Sequence, residues 1–540
     1  MPLPQYKPLL YTTTMRNPER LKYMLYILSK YKGQILDDGL AISIVGETIR
    51  YGLYRPLRTT EAIRRKWETT PKGVFGEFLL TDSEVAEMIR MNPQKHKEAG
   101  FANGFPSRFA TIFDLTKELG LAYYAPREKI EISQLGEHLL KAFNVSVDNG
   151  IISYEVDHPE YEQQVFLQAM AKSQRRNPFV RVLNDNIPLL LLLQTIMLLN
   201  SDKNQNGAGI SRKEVPLLIF WKDNNARRLY ERIVKLRNDF GYNPSDETVI
   251  DICIDEIMGG DYKGFKPKSI TSDYTDEFLR KMRITGLISL RGGGRFVDIN
   301  RNELQKVEYI IKQYSNYNHF TDEKEYFNYM ASLDKKLIKI KSIPTGKNNA
   351  EKLLMNWLNQ YAWPSIKKEL ILLSSGGASK DSVLKLISAP TRLEFLTALA
   401  IKSRIPNVRV LPNYSCDDEG LPTSTAGGNK GDIECYEHHK GILIEVTMAT
   451  GRQQTIMEVW PIERHLEEFQ KEIDAQCVFI APSIFADSKR QIQFIKHDSD
   501  GKKEIRPYAI SEFVNYLERT NWLYWSDDRE GSIAAEPSFD

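Results

Sequence analysis

A chain of 540 residues with 41% hydrophobic content suggests about three domains with real cores, and a net charge of +2 marks it as neither strongly basic nor strongly acidic. That total hides an asymmetry: residues 1–400 carry 57 Lys and Arg against 47 Asp and Glu, while residues 401–540 carry 16 against 24. The front can attract a polyanion and the back can hold a cation. Cys253, Cys416, Cys435 and Cys477 form no CxxC pair and no His cluster has zinc spacing, which argues against a disulfide framework and structural zinc and suits a reducing cytoplasm.

The start, Met1-Pro2-Leu3-Pro4, lacks the basic and apolar regions of a signal peptide. An aromatic residue, Tyr11, precedes the motif Arg16-Asn17-Pro18-Glu19-Arg20. Residues 107–119 read as an amphipathic helix ending at Gly120, 122–132 alternate as a hairpin, and 133–140 return to helix. The apolar run 187–199 is too short to span a bilayer and contains Pro188 and Gln194, so it reads as a buried helix and no membrane partner is expected. Ser211-Arg212-Lys213-Glu214 has capping-box spacing ahead of a helix over 215–221. A basic helix over 224–240 follows, with Arg227, Arg228, Arg232, Lys235 and Arg237. A helix over 275–284, a Gly-rich hairpin around Gly292-Gly293-Gly294 and a further helix from Asn300 repeat the earlier pattern.

Helix, wing and helix twice over suggest two winged-helix units, in 1–150 and 151–310. The cations expected to reach duplex DNA are Arg16, Arg20, Arg108, Arg212, Lys213, Arg227 and Arg228, contacting phosphates or guanine edges. The alternative for the arginines of the basic helix is a charged outer face paired with Asp223, Glu231 and Asp239. Residues 311–380 read as a Lys-rich helical linker, broken at Pro344-Thr345-Gly346 and Ser374-Ser375-Gly376-Gly377.

The last segment, 381–540, carries the chemistry. Thr391-x-x-Glu394 has capping-box spacing before a helix over 395–401, and spacing alone favours that structural reading of Glu394. Gly431-Asp432-Ile433-Glu434-Cys435-Tyr436 and Ile442-Leu443-Ile444-Glu445-Val446-Thr447 flank a polar turn. If the turn centres between His438 and His439, Asp432 lies opposite Glu445 with Cβ atoms about 5 Å apart. Alternation then puts Glu445 and Thr447 on one face. Like charges across a ladder repel unless a hard cation such as Mg²⁺ joins them, the alternative being an exposed acidic edge. A helix over 452–471, with Ile456, Val459, Ile462, Leu466 and Phe469 at helical spacing, would place Gln454, Glu458 and His465 on one stripe. The apolar strand 477–481 follows it, as in a right-handed crossover. The tail after Trp525 is acidic.

An acidic residue on a helix, Asp on a strand, Glu-x-Thr on its hairpin partner and a following helix resembles the PD-(D/E)xK nuclease core, with Thr447 where Lys is usual. Gly-Asp-Ile-Glu, Ile-Glu-Val-Thr, Met457-Glu458 and Pro461-Ile462-Glu463-Arg464-His465-Leu466, with the Tyr11 and Arg16–Arg20 motif, resemble the AlwI and BstNBI group of type IIS restriction and nicking endonucleases. The resemblance implies that Glu394, Asp432, Glu445 and Glu458 are the acidic active-site positions. It implies Mg²⁺, with Mn²⁺ as a substitute, held by Asp432, Glu445 and Glu394. Thr447 and His465 complete the catalytic set, Arg464 contacts DNA, and Lys430, Lys440 and His465 are candidates to assist the water.

The expected architecture is multidomain α+β: an N-terminal winged-helix-type region, a helical linker and a C-terminal α/β nuclease domain. The expected function is Mg²⁺-dependent cutting of double-stranded DNA to one side of a short asymmetric site. Double-strand cleavage would need a transient homodimer through the catalytic domain or a small partner subunit. A strand-specific nickase, the large subunit of a heterodimer, a shape-reading repair nuclease and a non-catalytic winged-helix binder are the alternatives.

Overall fold

The computed structural model describes residues 4–11, 20–68, 70, 72–207, 209–343, 347–427 and 430–526. Met1–Leu3, Arg16 and its motif up to Glu19, the break at 344–346 and the acidic tail from 527 lie outside these residues. The chain is mixed α/β and divides into two compact units. The first comprises Met1–Asn144, Asn149–Ile152 and Glu160–Ile343; the second comprises Val145–Asp148, Ser153–Pro159 and Pro344–Asp540.

The elements of the first stretch run α1 (Leu21–Ser29), α2 (Asp38–Arg50), α3 (Glu61–Trp67), α4 (Asp82–Met91), α5 (Phe105–Glu118), β1 (Ala122–Tyr123), β2 (Glu131–Ile132), α6 (Gln134–Leu140), β3 (Phe143–Asp148), β4 (Ile151–Val156), α7 (Pro159–Lys172) and α8 (Pro188–Ser201). They continue with β5 (Ile210–Ser211), α9 (Val215–Phe220), α10 (Ala226–Phe240), α11 (Asp246–Asp251), α12 (Asp273–Ile284), β6 (Ile288–Arg291), β7 (Phe296–Ile299), α13 (Leu304–Tyr314), α14 (Glu323–Ala331) and α15 (Lys335–Lys339). The apolar run is α8, with Leu189–Leu193 fully buried, and no described helix is long and apolar enough to cross a membrane. Local signals set the helix ends. Thr81 and Glu84 form a reciprocal capping box on α4, and Asn225 accepts the Arg228 N–H at the start of α10. At α9 only half of the expected box forms: Glu214 accepts the Ser211 N–H at 2.7 Å, while the Ser211 hydroxyl has no partner.

The second unit continues with α16 (Lys347–Leu358), α17 (Trp363–Ser374), α18 (Ala389–Arg404), β8 (Arg409–Pro412), β9 (Ser415–Cys416), β10 (Pro422–Ser424), β11 (Ile433–Glu437), β12 (Lys440–Val446), α19 (Arg452–Met457), α20 (Val459–Gln470), β13 (Ala475–Ala481), α21 (Ala486–Asp498), β14 (Ile505–Ala509) and α22 (Ile510–Arg519). The helices between 311 and 380 are therefore divided between the two units.

Five strands form one sheet in the order β14-β13-β12-β11-β8. β8, β11 and β12 are antiparallel, whereas β12, β13 and β14 run parallel, which the intervening helices allow. Leu443, Cys477 and Phe479 pack on one face against Val459, Ile462, Leu466 and Phe469 of α20 and Ile492 and Ile495 of α21. Alternation turns Ile442 and Ile444 to the other face, and α18 and α22 pack against β12 and β13. The hairpin thus lies inside the sheet, covered by helices, and not at an exposed acidic edge.

The expected single helix over 452–471 is two, α19 and α20, because the backbone departs from helix at Glu458 (φ −109°, ψ −45°). Ile456, read as part of the apolar stripe, is 45% exposed and lies on α19, before the break.

Candidate active site

The hairpin has the register that the turn signal implies. Glu437 pairs with Lys440 across His438 and His439, and Ile433 pairs with Ile444, so the next step along the ladder brings Asp432 opposite Glu445. His438 takes a positive φ of 56° to close the two-residue turn. Gly431 is the one residue that fits before Asp432, since a Cβ there would come within 2.4 Å of Leu443 Cδ1 and 2.9 Å of Glu445 Oε1.

Around this pair the fold gathers the remaining acids. Glu394 is not a cap. α18 starts at Ala389, three residues earlier than the capping reading required, with Ser388 at its N-cap, and Glu394 lies within the helix, 3% exposed. Glu394 Oε2 accepts the Ala426 N–H at 3.1 Å, and Asp432 Oδ2 accepts the Val446 N–H at 2.7 Å. Glu445 is 6% exposed, and its Oε1 lies 2.9 Å from His465 Nδ1 on α20. The Thr447 hydroxyl donates to Glu458 Oε1 at 2.8 Å and accepts the Ala449 N–H at 3.0 Å. The break at Glu458 is what lets α19 and α20 deliver Glu458 and His465 to the end of β12.

Burial and mutual repulsion act in the same direction on these acids. Glu394 is pushed up to about 8, first by burial and then by Glu445, and Glu458 to about 7 by burial, Glu445 and Glu155. Asp432 is held well above the usual carboxylate range by burial and by Glu394, Glu445 and Glu458. Glu445 is raised by burial, against the lowering effect of His465. Among the described residues no cation offsets this accumulation enough to restore ordinary values.

An all-carboxylate oxygen donor set with uncompensated charge fits a hard divalent cation better than a soft or redox metal. Among the described residues no three His, Cys, Asp or Glu side chains converge as a ready-made metal cage. Each carboxylate is instead held by its own donor.

The other sequence candidates separate into engaged and open groups. Gln454, expected to face the carboxylates, bonds Ala449 O, Ser483 O and the Phe485 N–H and so ties α19 to the β13 loop. Lys440 pairs with Asp474 and lies five residues from Glu445 along β12, about 16 Å at 3.3 Å per residue, too far to assist a water there. Lys430 is exposed, next but one to Asp432. Arg464 is exposed, 3.9 Å from Glu155.

Most of the cations expected to meet DNA have acid partners of their own. Arg212 pairs with Asp276, Lys213 with Asp246, Arg227 with Glu231 at 3.0 Å and Arg228 with Asp223 at 3.3 Å. Arg232 is bidentate to Glu256, and Arg237 is buried on Glu214. Arg108 lies over the Tyr54 ring, and Arg20 sits at the N-cap of α1. What the sequence could not reveal are the two backbone donors, Val446 and Ala426, because a backbone N–H carries no side-chain signature.

The model of the AlwI restriction endonuclease family matches residues 117–388 and 374–516, most of the chain and all four acids. The chain belongs to this family. It is a site-specific restriction endonuclease, and its partner is DNA. No curated protein is significantly similar. Among solved structures, the small subunit (R.BspD6I2) of the heterodimeric restriction endonuclease R.BspD6I is 26% identical over 28% of this chain and 76% of its own, at a TM-score of 0.24. Restriction endonuclease FokI is 10% identical over 96% of both chains at 0.24, and FokI bound to DNA 12% identical over 93% of this chain and 70% of its own at 0.20.

Proposed function

We propose that this chain is a type IIS enzyme of the prokaryotic cytoplasm, hydrolysing DNA phosphodiester bonds to one side of a short asymmetric site. Recognition belongs to residues 1–150 and 151–310, in winged-helix form, residues 311–380 link, and cleavage belongs to residues 381–540, in PD-(D/E)xK form. The observation that carries the reading is the group of four mutually repelling, hydrogen-bonded carboxylates at the end of β12: Glu394, Asp432, Glu445 and Glu458. Supporting the recognition half, the three-stranded sheet ordered β5-β7-β6 with α8, α9 and α12 has the helix and strand order of a winged helix.

Asp432, Glu445 and Glu394 would hold Mg²⁺, or Mn²⁺ in its place. The bound cation would polarise the scissile phosphate and lower the pKa of a water. Around it, His465 orients Glu445 through Nδ1. Thr447 fixes Glu458 by its hydroxyl, and Glu458, titrating near neutrality, is suited to accept a proton from an ordered water. The Val446 and Ala426 amides keep Asp432 and Glu394 pointing inward while no cation offsets their charge.

One such site faces one strand at a time. Cutting both strands of an antiparallel duplex therefore calls for a second catalytic domain, from another copy of the chain or from a small partner subunit. Plasmid digestion tests the whole reading: discrete bands that require Mg²⁺ and end at a fixed distance from a shared sequence are expected. Random fragments, or no cleavage, would refute it. Nicked circles that never become linear with enzyme in excess would identify a nickase or a subunit awaiting its partner.

A further inference from the structure

The first unit contains the same small fold twice. In one copy α1 leads to residues 33–36, which run antiparallel to residues 128–130 just before β2: Gly33 N–H to Ile130 O at 2.8 Å and Ile130 N–H to Gln34 O at 2.9 Å. α2, two further helices (α3 and α4), α5, β1, a turn and β2 follow, so that the segment 128–132 meets residues 33–36 through its first part and β1 through its last two residues. In the other copy α8 leads to β5, then α9, two further helices (α10 and α11), α12, β6, the glycine turn and β7, with the sheet ordered β5-β7-β6.

The junctions agree in detail. α5 and α12 both end at a left-handed glycine, Gly120 (φ +74°) and Gly286 (φ +76°). After the last strand, Ser133 N–H donates to Leu121 O and Ser133 Oγ to Gly120 O, at 3.0 and 2.6 Å. Asn300 N–H donates to Leu287 O and Asn300 Nδ2 to Gly286 O, both at 2.8 Å. Each of these residues then caps the next helix, Ser133 on Gly136 N–H and Asn300 on Asn302 N–H.

Equivalence fixes what should match functionally. In each copy the segment entering the last helix, 93–104 before α5 and 259–272 before α12, is an exposed, glycine-containing loop with lysines between aromatic or imidazole rings. Both loops are anchored to the helix that follows. His96 Nε2 bonds the Thr111 hydroxyl at 2.6 Å and Ser107 Oγ accepts the Glu98 N–H at 3.1 Å; Tyr274 Oη accepts the Lys266 N–H at 3.3 Å and the Tyr274 ring meets Phe265 edge-on at 5.9 Å. Lys95, Lys97, Lys263, Lys266 and Lys268 are exposed, and none has a carboxylate within ion-pairing distance among the described residues. The arginines of α10, by contrast, lie on a helix inserted between the matched elements and are engaged by their own acids.

We propose that the DNA-recognition region is an internal duplication whose two equivalent lysine loops, 93–104 and 259–272, grip duplex DNA, while the α10 arginines do not. An unpaired lysine on an anchored loop can displace phosphate counterions at little ordering cost, whereas a paired arginine must first give up its acid. The proposal rests on the DNA-recognition reading above.

Its test compares Lys95→Ala/Lys97→Ala, Lys263→Ala/Lys266→Ala/Lys268→Ala and Arg227→Ala/Arg228→Ala with wild type. Binding is measured from 50 to 200 mM salt on a duplex carrying the mapped cleavage site, with melting temperature as the folding control. The slope of log affinity against log salt should shallow by about two units in the first variant and about three in the second. Affinity at 100 mM salt should fall about tenfold or more in both, while the α10 variant stays within about threefold of wild type. Wild-type slopes in both loop variants, or a greater loss in the α10 variant, would overturn the proposal. Loss in one loop variant alone would overturn the equivalence of the copies. A wild type that binds no duplex and cuts nowhere would overturn the recognition reading itself, an outcome separate from these.

Discussion

Two buried groups of charge, one in each compact unit, are balanced in opposite ways. In the first, Glu214 and Arg237 are 0% and 3% exposed and joined by two hydrogen bonds of 2.7 Å, with Gln205 and Gly209 O occupying further guanidinium donors. Lys172 is likewise buried, and it caps the carbonyls at the end of α14. In the second, four carboxylates share one region with a single histidine, and each is raised. The Glu214 and Arg237 charges are neutralised within the fold, where an unpaired buried ion costs several kcal/mol. The four acids left unbalanced at such a cost agree with the cation site proposed above.

The sharpest way to break this comparison is to remove one charged group from each side. Asp432→Ala or Glu445→Ala should lose about 4 kcal/mol of transition-state stabilisation, about a thousandfold in cleavage rate, while duplex binding by gel shift is kept. Wild-type cutting in either variant would sink the site assignment. Arg237→Ala should instead leave catalysis per folded molecule intact and destabilise the first unit by about 3 kcal/mol, read by denaturant titration, since Glu214 is left buried and alone. A negligible shift would mean that this pair is not structural.

Glu394→Gln sharpens the catalytic side. The amide oxygen can still accept the Ala426 N–H, so the melting temperature should hold while the rate drops about a hundredfold; full activity would reduce Glu394 to a structural acceptor. His465→Ala, which frees Glu445 to rotate without removing a carboxylate, should cost about 10- to 100-fold, with a raised Mg²⁺ requirement. An unchanged Mg²⁺ dependence would argue against an orienting role.

The smallest effect is on stability against pH. Glu394 and Glu458 bind protons more tightly folded than unfolded, so the unfolded state holds fewer protons at neutral pH and stability falls as pH rises. The window runs from the ordinary value of 4.5 to about 8 for Glu394 and to about 7 for Glu458. Metal-free protein should therefore melt at a lower temperature at pH 8.5 than at pH 5.5, and Glu394→Gln/Glu458→Gln should lose less across that range. Equal slopes in both proteins would show that the acids are not strained.

Local features were legible in advance where a short-range rule governs them. The hairpin register followed from the polar turn at His438-His439 and the alternation beside it, and the helix, hairpin, helix pattern around Gly120 and Gly286 followed from periodicity and glycine placement. The family resemblance, carried by the same motifs, agrees with the family match. Spacing misled at Thr391-x-x-Glu394, because Ser388 starts the helix a turn earlier and carries Glu394 into its interior. It misled again at residues 452–471, where a break at Glu458 divides the apolar stripe.

What the sequence determined by itself was therefore the identity and order of the acids, the hairpin that aligns Asp432 with Glu445, and the positions of the cations. Tertiary structure alone decided which charges are spent on the fold. Arg212, Arg228 and Arg237 find acids 64, 5 and 23 residues away, and Asp432 and Glu394 are held by backbone amides from a neighbouring strand and a distant loop. Pairing and desolvation depend on what the folded chain brings within a few ångströms, and the linear order of side chains does not encode that distance.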